Sequence, residues 1–321
     1  MARSSTEIVV EQARGARPSA ATTWVALATL YVVWGSTYLA IRVIVERVPP
    51  LAAAGVRFLA AGVLLGVVLS VRGGRSRWRI PRRQLAGAVG VSFFTLFAAF
   101  SLLFLGETHV PSALAALLIA SIPLWVVVLR LVAGEPVSRA TVAAVALGFA
   151  GVAVLVLPGG GASGVGTLWL LVVVGAAVTE AVGSFGSQRV RLPTDPFVTA
   201  TLQMLAAGVL TLVVALSIGE ASDFRLSDVS WKVGLAFAYL VVPGSILAYS
   251  AFIWLLQTGS VSTATTYAYV NPVVAIVLGW ALLSEDVATT MIVGAVAIVA
   301  SVAVVVRHES VRGVSESGER A

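Results

Sequence analysis

Leu59-Ala60-Ala61-Gly62-Val63-Leu64 returns letter for letter as Leu205-Ala206-Ala207-Gly208-Val209-Leu210, at an offset of 146 that also relates Pro50 to Pro196. Such a string alone recurs by chance in helices rich in Ala and Leu. Further along, Pro123 matches Pro272 at an offset of 149, and Glu135 matches Glu285 at 150. Three ordered landmarks with a slowly drifting offset predict a duplication, each half supplying the same set of elements in the same order.

The composition says what those elements are. Of 321 residues, 59% are apolar and only 11% charged, with a mean hydropathy of +0.99. A soluble domain is roughly a quarter charged, because its surface must stay wet; here the solvent around most of the chain must be lipid. Hydrophobic runs of spanning length fall at 22–44, 51–71, 84–105, 111–131 and 138–157, then at 165–187, 197–218, 231–256, 261–283 and 287–306. Arg-rich (Arg72 to Arg83), Gly-rich (Gly159-Gly160-Gly161) and Pro-containing (Pro49-Pro50, Pro193 to Pro196) segments separate them. Only helices and closed barrels satisfy the backbone in lipid, and runs without strict alternation are helices. At about 20 residues per span, ten spans leave no room for a separate soluble domain.

The basic residues set the expected orientation. With the N-terminus in the cytoplasm, 16 of the 21 Lys and Arg residues fall inside, four outside (Arg42, Arg47, Arg225, Lys232) and one, Arg57, within a span. The acidic residues Glu220, Asp223 and Asp228 fall outside. The expected fold is therefore an all-α polytopic membrane protein, ten transmembrane helices in two five-helix repeats, both termini cytoplasmic. Five is odd, so the second repeat enters the membrane inverted relative to the first. The expected division is a cytoplasmic tail over 1–21, a first repeat over 22–157, a Gly-rich connector over 158–164, a second repeat over 165–306 and a cytoplasmic tail over 307–321. Residues 1–21 carry no apolar h-region, so the first span is expected to act as an uncleaved anchor.

Several function classes drop out. The chain has no cysteine, which removes disulfides and thiolate chemistry, and its two histidines, His109 and His308, make no pair at helical spacing. No metal site and no cofactor are expected. The net charge of +6 follows the topology rather than forming one patch, so no nucleic-acid partner is expected. There is no P-loop, so ATP is not the direct energy source. The expected partners are a small-molecule substrate and the bilayer, and a homodimer stays open. Inverted repeats are a signature of secondary transporters, whose substrate site lies near the midplane between the halves.

A family resemblance joins these arguments. Trp34-Gly35-Ser36-Thr37-Tyr38, Pro49-Pro50 with Arg57-Phe58 and Ala61-Gly62, Pro111-Ser112-Ala113 with Pro123, and Tyr267-Ala268-Tyr269-Val270-Asn271-Pro272 followed by Glu285 resemble the EamA family of the drug/metabolite transporter superfamily. The resemblance covers roughly residues 24–306. It implies a ten-helix inverted repeat in the bacterial cytoplasmic (inner) membrane that exports amino acids, other small metabolites or drugs. The second repeat departs from the pattern, with Gln203-Met204 where the first has Arg57-Phe58.

Glu180 is the most informative single residue, seven positions before the end of the sixth predicted span. An ionised carboxylate in mid-membrane costs about 2.5–3.5 kcal/mol on insertion scales. It is expected either to carry a coupling proton or bind a cationic group, or to pair structurally with Arg189 or another cation. Ser184 shares its helical face, and the offset of 146 places Trp34 and Tyr38 at the equivalent positions of the first span. Two such stripes facing one another would wall a cavity; the plainer alternative is hydrogen-bonding glue between helices. Thr263, Tyr267 and Asn271 share a face of the ninth span, followed by Pro272, and Pro123 with Ser121 nearby marks the fourth. A proline frees the carbonyl four residues earlier, and prolines in corresponding spans point to a transporter's site. Arg57, a snorkelling arginine or an anion ligand with Glu46 and Glu107 at hand, and Tyr249 and Trp254 in the eighth span complete the candidates. Glu135 and Glu285 are expected to favour the nearby starts of the fifth and tenth helices through the helix dipole. Those two helices carry no polar stripe and are expected at the periphery or at a dimer contact, with Ala144/Gly148 and Ala297/Ser301 permitting close packing.

A membrane enzyme would need an acidic pair, a His-bound metal or a nucleophile beside its base, and no such set is visible. The expected activity is alternating-access export coupled to protons or the membrane potential, with a lipid flippase or a channel as the alternatives on the same scaffold.

Overall fold

Lipid offers the backbone no hydrogen-bond partner, so each span must satisfy itself internally, and in the computed structural model the described residues, 20–157, 164–220, 229–258 and 266–318, form helices joined by short turns and irregular segments. Among them, nine helices are long and apolar enough to cross a membrane: α1 (Ala20–Val45), α2 (Pro50–Gly73), α3 (Arg82–Glu107), α4 (Ser112–Val132), α5 (Arg139–Val156), α6 (Thr167–Ser187), α7 (Pro196–Ser217), α8 (Trp231–Leu255) and the first part of α10 (Thr289–Val306). The shorter apolar α9 runs from Tyr267 to Leu283. The start of the ninth predicted span, with Thr263, lies outside the described residues, as do nearly all of the N-terminal tail and the connector. Helix α10 continues as helix to Gly318, so the described part of the predicted C-terminal tail has the same conformation as the span before it.

The helix ends follow local chemistry. Pro50 and Pro196 occupy first-turn positions where a missing N–H costs nothing. Asp195 caps α7 by accepting from the Phe197 and Val198 amides, and Ser138 accepts from Thr141 N at 3.0 Å to cap α5. Gly74, at φ +68°, ends α2 in a conformation that disfavours a Cβ. Two further caps cross between the halves. Glu220, following α7, accepts from Ala52 N at 2.8 Å at the start of α2, and Glu285, following α9, accepts from Ser112 N at 2.8 Å and Ala113 N at 3.0 Å at the start of α4. This corrects the expectation for Glu285: it serves α4 rather than α10, because α9 returns its end beside α4's first turn. Glu135 likewise does not cap α5; it pairs with Arg130 at 2.8 Å and with Arg189.

The core is centred on α4, where every residue from Ser112 to Ile119 is buried. Large apolar side chains such as Val71, Leu216 and Trp231 stand exposed on the outer faces, as a lipid-facing surface requires. The two halves meet along two seams of small residues. Helices α2 and α7 pack so closely that a Cβ on Gly62 would lie 2.9 Å from Leu205 N, and one on Gly208 only 2.5 Å from Leu59 N. The offset of 146 carries Gly62 to Gly208 and Leu59 to Leu205, so both contacts are the same contact made in both directions. That reciprocity is the mark of a two-fold interface. Helices α5 and α10 repeat the device: Gly148 meets Ser301 and Gly151 meets Ile298, exchanged by the offset of 150, and Ser301 donates to the Ala144 carbonyl. Close backbone approach is how helices associate in lipid.

Candidate functional site

Four helices depart from regular α geometry, and the departures converge. Leu30–Trp34 of α1, Phe93–Ala98 of α3 and Leu240–Leu247 of α8 are π-helical, and α4 breaks at Ala120 and Ser121. Pro243 accounts for α8 and Pro123 for α4, since neither can donate and each ring displaces a carbonyl. α1 and α3 widen without a proline. The α3 and α8 segments lie at equivalent places in the two repeats, Phe93 to Leu240 being an offset of 147. Widened turns expose backbone groups and recur at functional sites.

Where these segments meet is a cavity of about 110 Å³. Helices α1, α2, α3, α4, α6, α7, α8 and α9 all contribute, so both halves build it, while α5 and α10 do not reach it. Of the expected residues it gathers Trp34, Tyr38, Arg57, Glu180, Ser184, Tyr249, Tyr267 and Asn271. Ser121, Pro123, Trp254 and Pro272 are not among its lining. Ser121 is buried and donates to the Leu118 carbonyl at 2.6 Å. Trp254 packs, partly buried, against the cluster formed by Ala26, Leu27, Leu30, Ala248 and Leu255. Pro123 shapes the backbone, so that α4 presents Ile119 and Ile122 on either side of its break; α9 stays helical through Pro272.

Each polar group in the wall is held differently. Trp34 Nε1 donates to the Gly244 carbonyl at 3.1 Å, a group presented by the widened turn of α8. Its ring meets Tyr267 edge-on at 4.9 Å and Phe252 at 5.2 Å, making an aromatic wall. Arg57 is 2% exposed, which rules out a snorkelling arginine. Its Nε donates to Ser245 Oγ at 3.0 Å, and its guanidinium lies 5.0 and 5.1 Å from the Phe58 and Phe100 ring centres. Its Nη1 has no hydrogen-bond partner among the described residues. Glu46, one suggested partner, pairs instead with Arg42 at 3.1 Å. Gln203, the repeat equivalent of Arg57, does not line the cavity; it is buried and accepts from the hydroxyl of the lining residue Tyr249.

Glu180 faces the cavity among the phenols of Tyr38, Tyr249 and Tyr267, which interact electrostatically with its charge. Among the described residues it makes no hydrogen bond or ion pair. The suggested partner Arg189 is taken up by Glu135 and by the Phe185 carbonyl at 2.7 Å. Asn271 is 5% exposed and its Oδ1 is unpartnered. Sequence reasoning passed over Thr37, Thr95, Met204, Ser245 and Phe252, which also line the cavity. The signal for Ser245 was available, since it follows Pro243-Gly244. Glu107 was read only as a partner near one helix end; it is fully buried outside the cavity lining, with both carboxylate oxygens unpartnered.

Known proteins share this chain's plan. The sequence model of the EamA-like transporter family matches residues 22–157 and again 167–307. The inner membrane transporter YedA of Escherichia coli (strain K12) is 37% identical over 262 residues, covering 81% of this chain and 82% of that protein. A probable terminal-alkyne amino-acid exporter of Streptantibioticus cattleyicolor is 30% identical over 289 residues, covering 88% of this chain and 93% of that protein. One solved crystal structure has the same fold, with a TM-score of 0.62 at 22% identity over 89% of this chain and 96% of its own. With two matched repeats, a bundle of apolar helices and a relative this similar along most of its length, the chain is a multi-span membrane protein of the EamA-like transporter family.

Proposed function

We propose that this protein is a secondary active exporter of small metabolites or drugs, working by alternating access from the bacterial inner membrane. The chain crosses ten times, α9 included, as two inverted repeats over 22–157 and 165–306 with both termini in the cytoplasm. The arginine distribution supports that orientation, and the reciprocal glycine contacts of α2 with α7 and of α5 with α10 support the two-fold relation. The observation that carries the reading is the cavity itself: aromatic-walled, holding unpaired polar groups, and built by both halves where four helices lose regularity. Two related halves around one cavity can exchange conformations, so that the cavity opens first to one side and then to the other. Glu180 is the carboxylate in its lining and the natural carrier of a coupling proton. The resemblance to the probable terminal-alkyne amino-acid exporter of Streptantibioticus cattleyicolor supports amino acids within the substrate range.

The test is flux of a water-soluble substrate in proteoliposomes holding the full chain, with the pH gradient and membrane potential imposed separately. Export driven by one of these gradients is expected. Flux that ignores both, or passive conductance, would replace the reading by a channel; movement of labelled lipid alone would replace it by a flippase.

A further inference from the structure

Glu107 closes α3 on the side that the arginines assign to the outside, and the cavity makes no use of it. It is fully buried, and among the described residues neither carboxylate oxygen has a hydrogen-bond partner. Neither oxygen keeps open surface, so the packing leaves no room for a ligand or a water against them. The charged groups around it are engaged elsewhere. Arg42 of α1 donates to the Glu107 main-chain carbonyl and pairs with Glu46 at 3.1 Å. Arg57 of α2 donates Nε to Ser245 Oγ, leaves Nη1 without an acceptor, and reaches Glu107 only through space. Glu285, beyond α9, caps the start of α4, and its negative charge opposes a second one on Glu107. The Tyr38 phenol interacts electrostatically with both Glu107 and Glu180. Over Ser112–Ile119 α4 carries no charged side chain, and α6 carries none before Glu180. His109, two positions on, is exposed and stacks on Trp169.

Two buried charges of opposite sign, in electrostatic reach and each short of a partner, would close on one another. Arg57 and Glu107 have not closed, and an arginine keeps its charge in proteins. The neutral member is therefore Glu107. Resting on the proton-coupled reading above, we infer that Glu107 is a second proton-carrying site, which holds a proton in this conformation and pairs with Arg57 on losing it. The step is a deprotonation: the O–H bond of Glu107 breaks, the proton leaves to water on the outer side, and the new carboxylate accepts from Arg57 Nη1. Water does not reach Glu107 here, so the exchange waits for that side to open. Loss of the proton then rearranges α2 against α3, which ties protonation to conformation at a residue outside the substrate cavity.

The experiment is an infrared titration of the full chain in detergent. The spectrum of wild type minus that of Glu107→Gln should show a protonated carboxyl band at neutral pH that disappears on alkaline titration. Arg57→Met, compared with its own Glu107→Gln double variant, lacks the cation that takes up the carboxylate and should raise the midpoint by about 1–3 pH units. Glu285→Gln, treated in the same way, removes an opposing charge and should lower it; this variant carries the comparison if Arg57→Met does not fold. No band at neutral pH, a band that no pH removes, or a midpoint indifferent to these variants overturns the inference. In proteoliposomes, Glu107→Gln should cut the flux of labelled L-amino acids driven by a pH gradient at least tenfold. Undiminished gradient-driven flux in that variant would overturn the inference while leaving the exporter standing. A band that titrates and shifts as expected, in a chain that no gradient drives, would leave the proton site standing and remove the coupled exporter.

Discussion

Replacing Gly208 by alanine should force α2 and α7 apart. The new Cβ would lie 2.5 Å from Leu59 N, 2.8 Å from Leu59 Cα and 2.9 Å from Leu59 Cβ, where ordinary contacts begin at 3.4 Å. The shortfall of about 0.9 Å falls on backbone atoms, so no side chain can rotate away and the helices themselves must separate. Overpacking of this kind costs about 1–3 kcal/mol, partly masked by the ~1 kcal/mol that alanine gains over glycine in a helix. Gly90, exposed on α3 with nothing within 4 Å of its Cβ position, gives the same propensity gain without the clash. The difference between the two variants should therefore be the steric cost alone, about 1–3 kcal/mol, with Gly62→Ala in between because its nearest backbone atom is 2.9 Å away. Reversible unfolding in mixed micelles with increasing SDS, followed by helical ellipticity, measures it. Equal midpoints for Gly208→Ala and Gly90→Ala would refute the seam, and with it the two-fold relation read from its reciprocal contacts.

Other consequences can be checked directly. Glu180→Gln should fold as wild type yet lose the dependence of flux on the pH gradient; unchanged pH dependence would remove Glu180 from coupling. Glu285→Ala should destabilise by about 1–2 kcal/mol, since two amides at the start of α4 lose a charged cap, whereas Asp286→Ala should cost less in the same assay. The Arg130 hydrogen bond, and then the charge of Arg189, hold the Glu135 carboxyl below its ordinary value of 4.5. A lowered folded value means the pairing stabilises fully above about 4.5 and is lost as pH falls through the lower folded value. Stability curves of wild type and Glu135→Gln should thus differ at neutral pH and converge on acidification; a gap that stays constant with pH would contradict the pairing.

Much of the site was legible because it sits on patterned helices. Trp34 and Tyr38 share a face, Glu180 and Ser184 share another, and the offset of 146 pairs the two stripes before any coordinates are seen. Of the two prolines expected to disturb their spans, Pro123 acts through the broken backbone beside Ile119 and Ile122 rather than by lining the cavity, whereas α9 stays helical through Pro272. The π-helical turns of α1 and α3 carry no proline and left no trace in the residues.

The sequence by itself determined the solvent, the helical class and the duplication. Hydropathy and helix-breaking residues act locally, and lipid forces each span to satisfy its own backbone. Only the tertiary structure decided which helices are neighbours: that Arg57 is buried against Ser245 rather than reaching the surface, that Glu285 caps α4 rather than α10, and that Glu180 shares its space with Arg57 while Arg189 is held by Glu135. Each of these is a contact between residues more than 50 positions apart in the chain, fixed by close packing at glycine seams, and no local pattern encodes such a pairing.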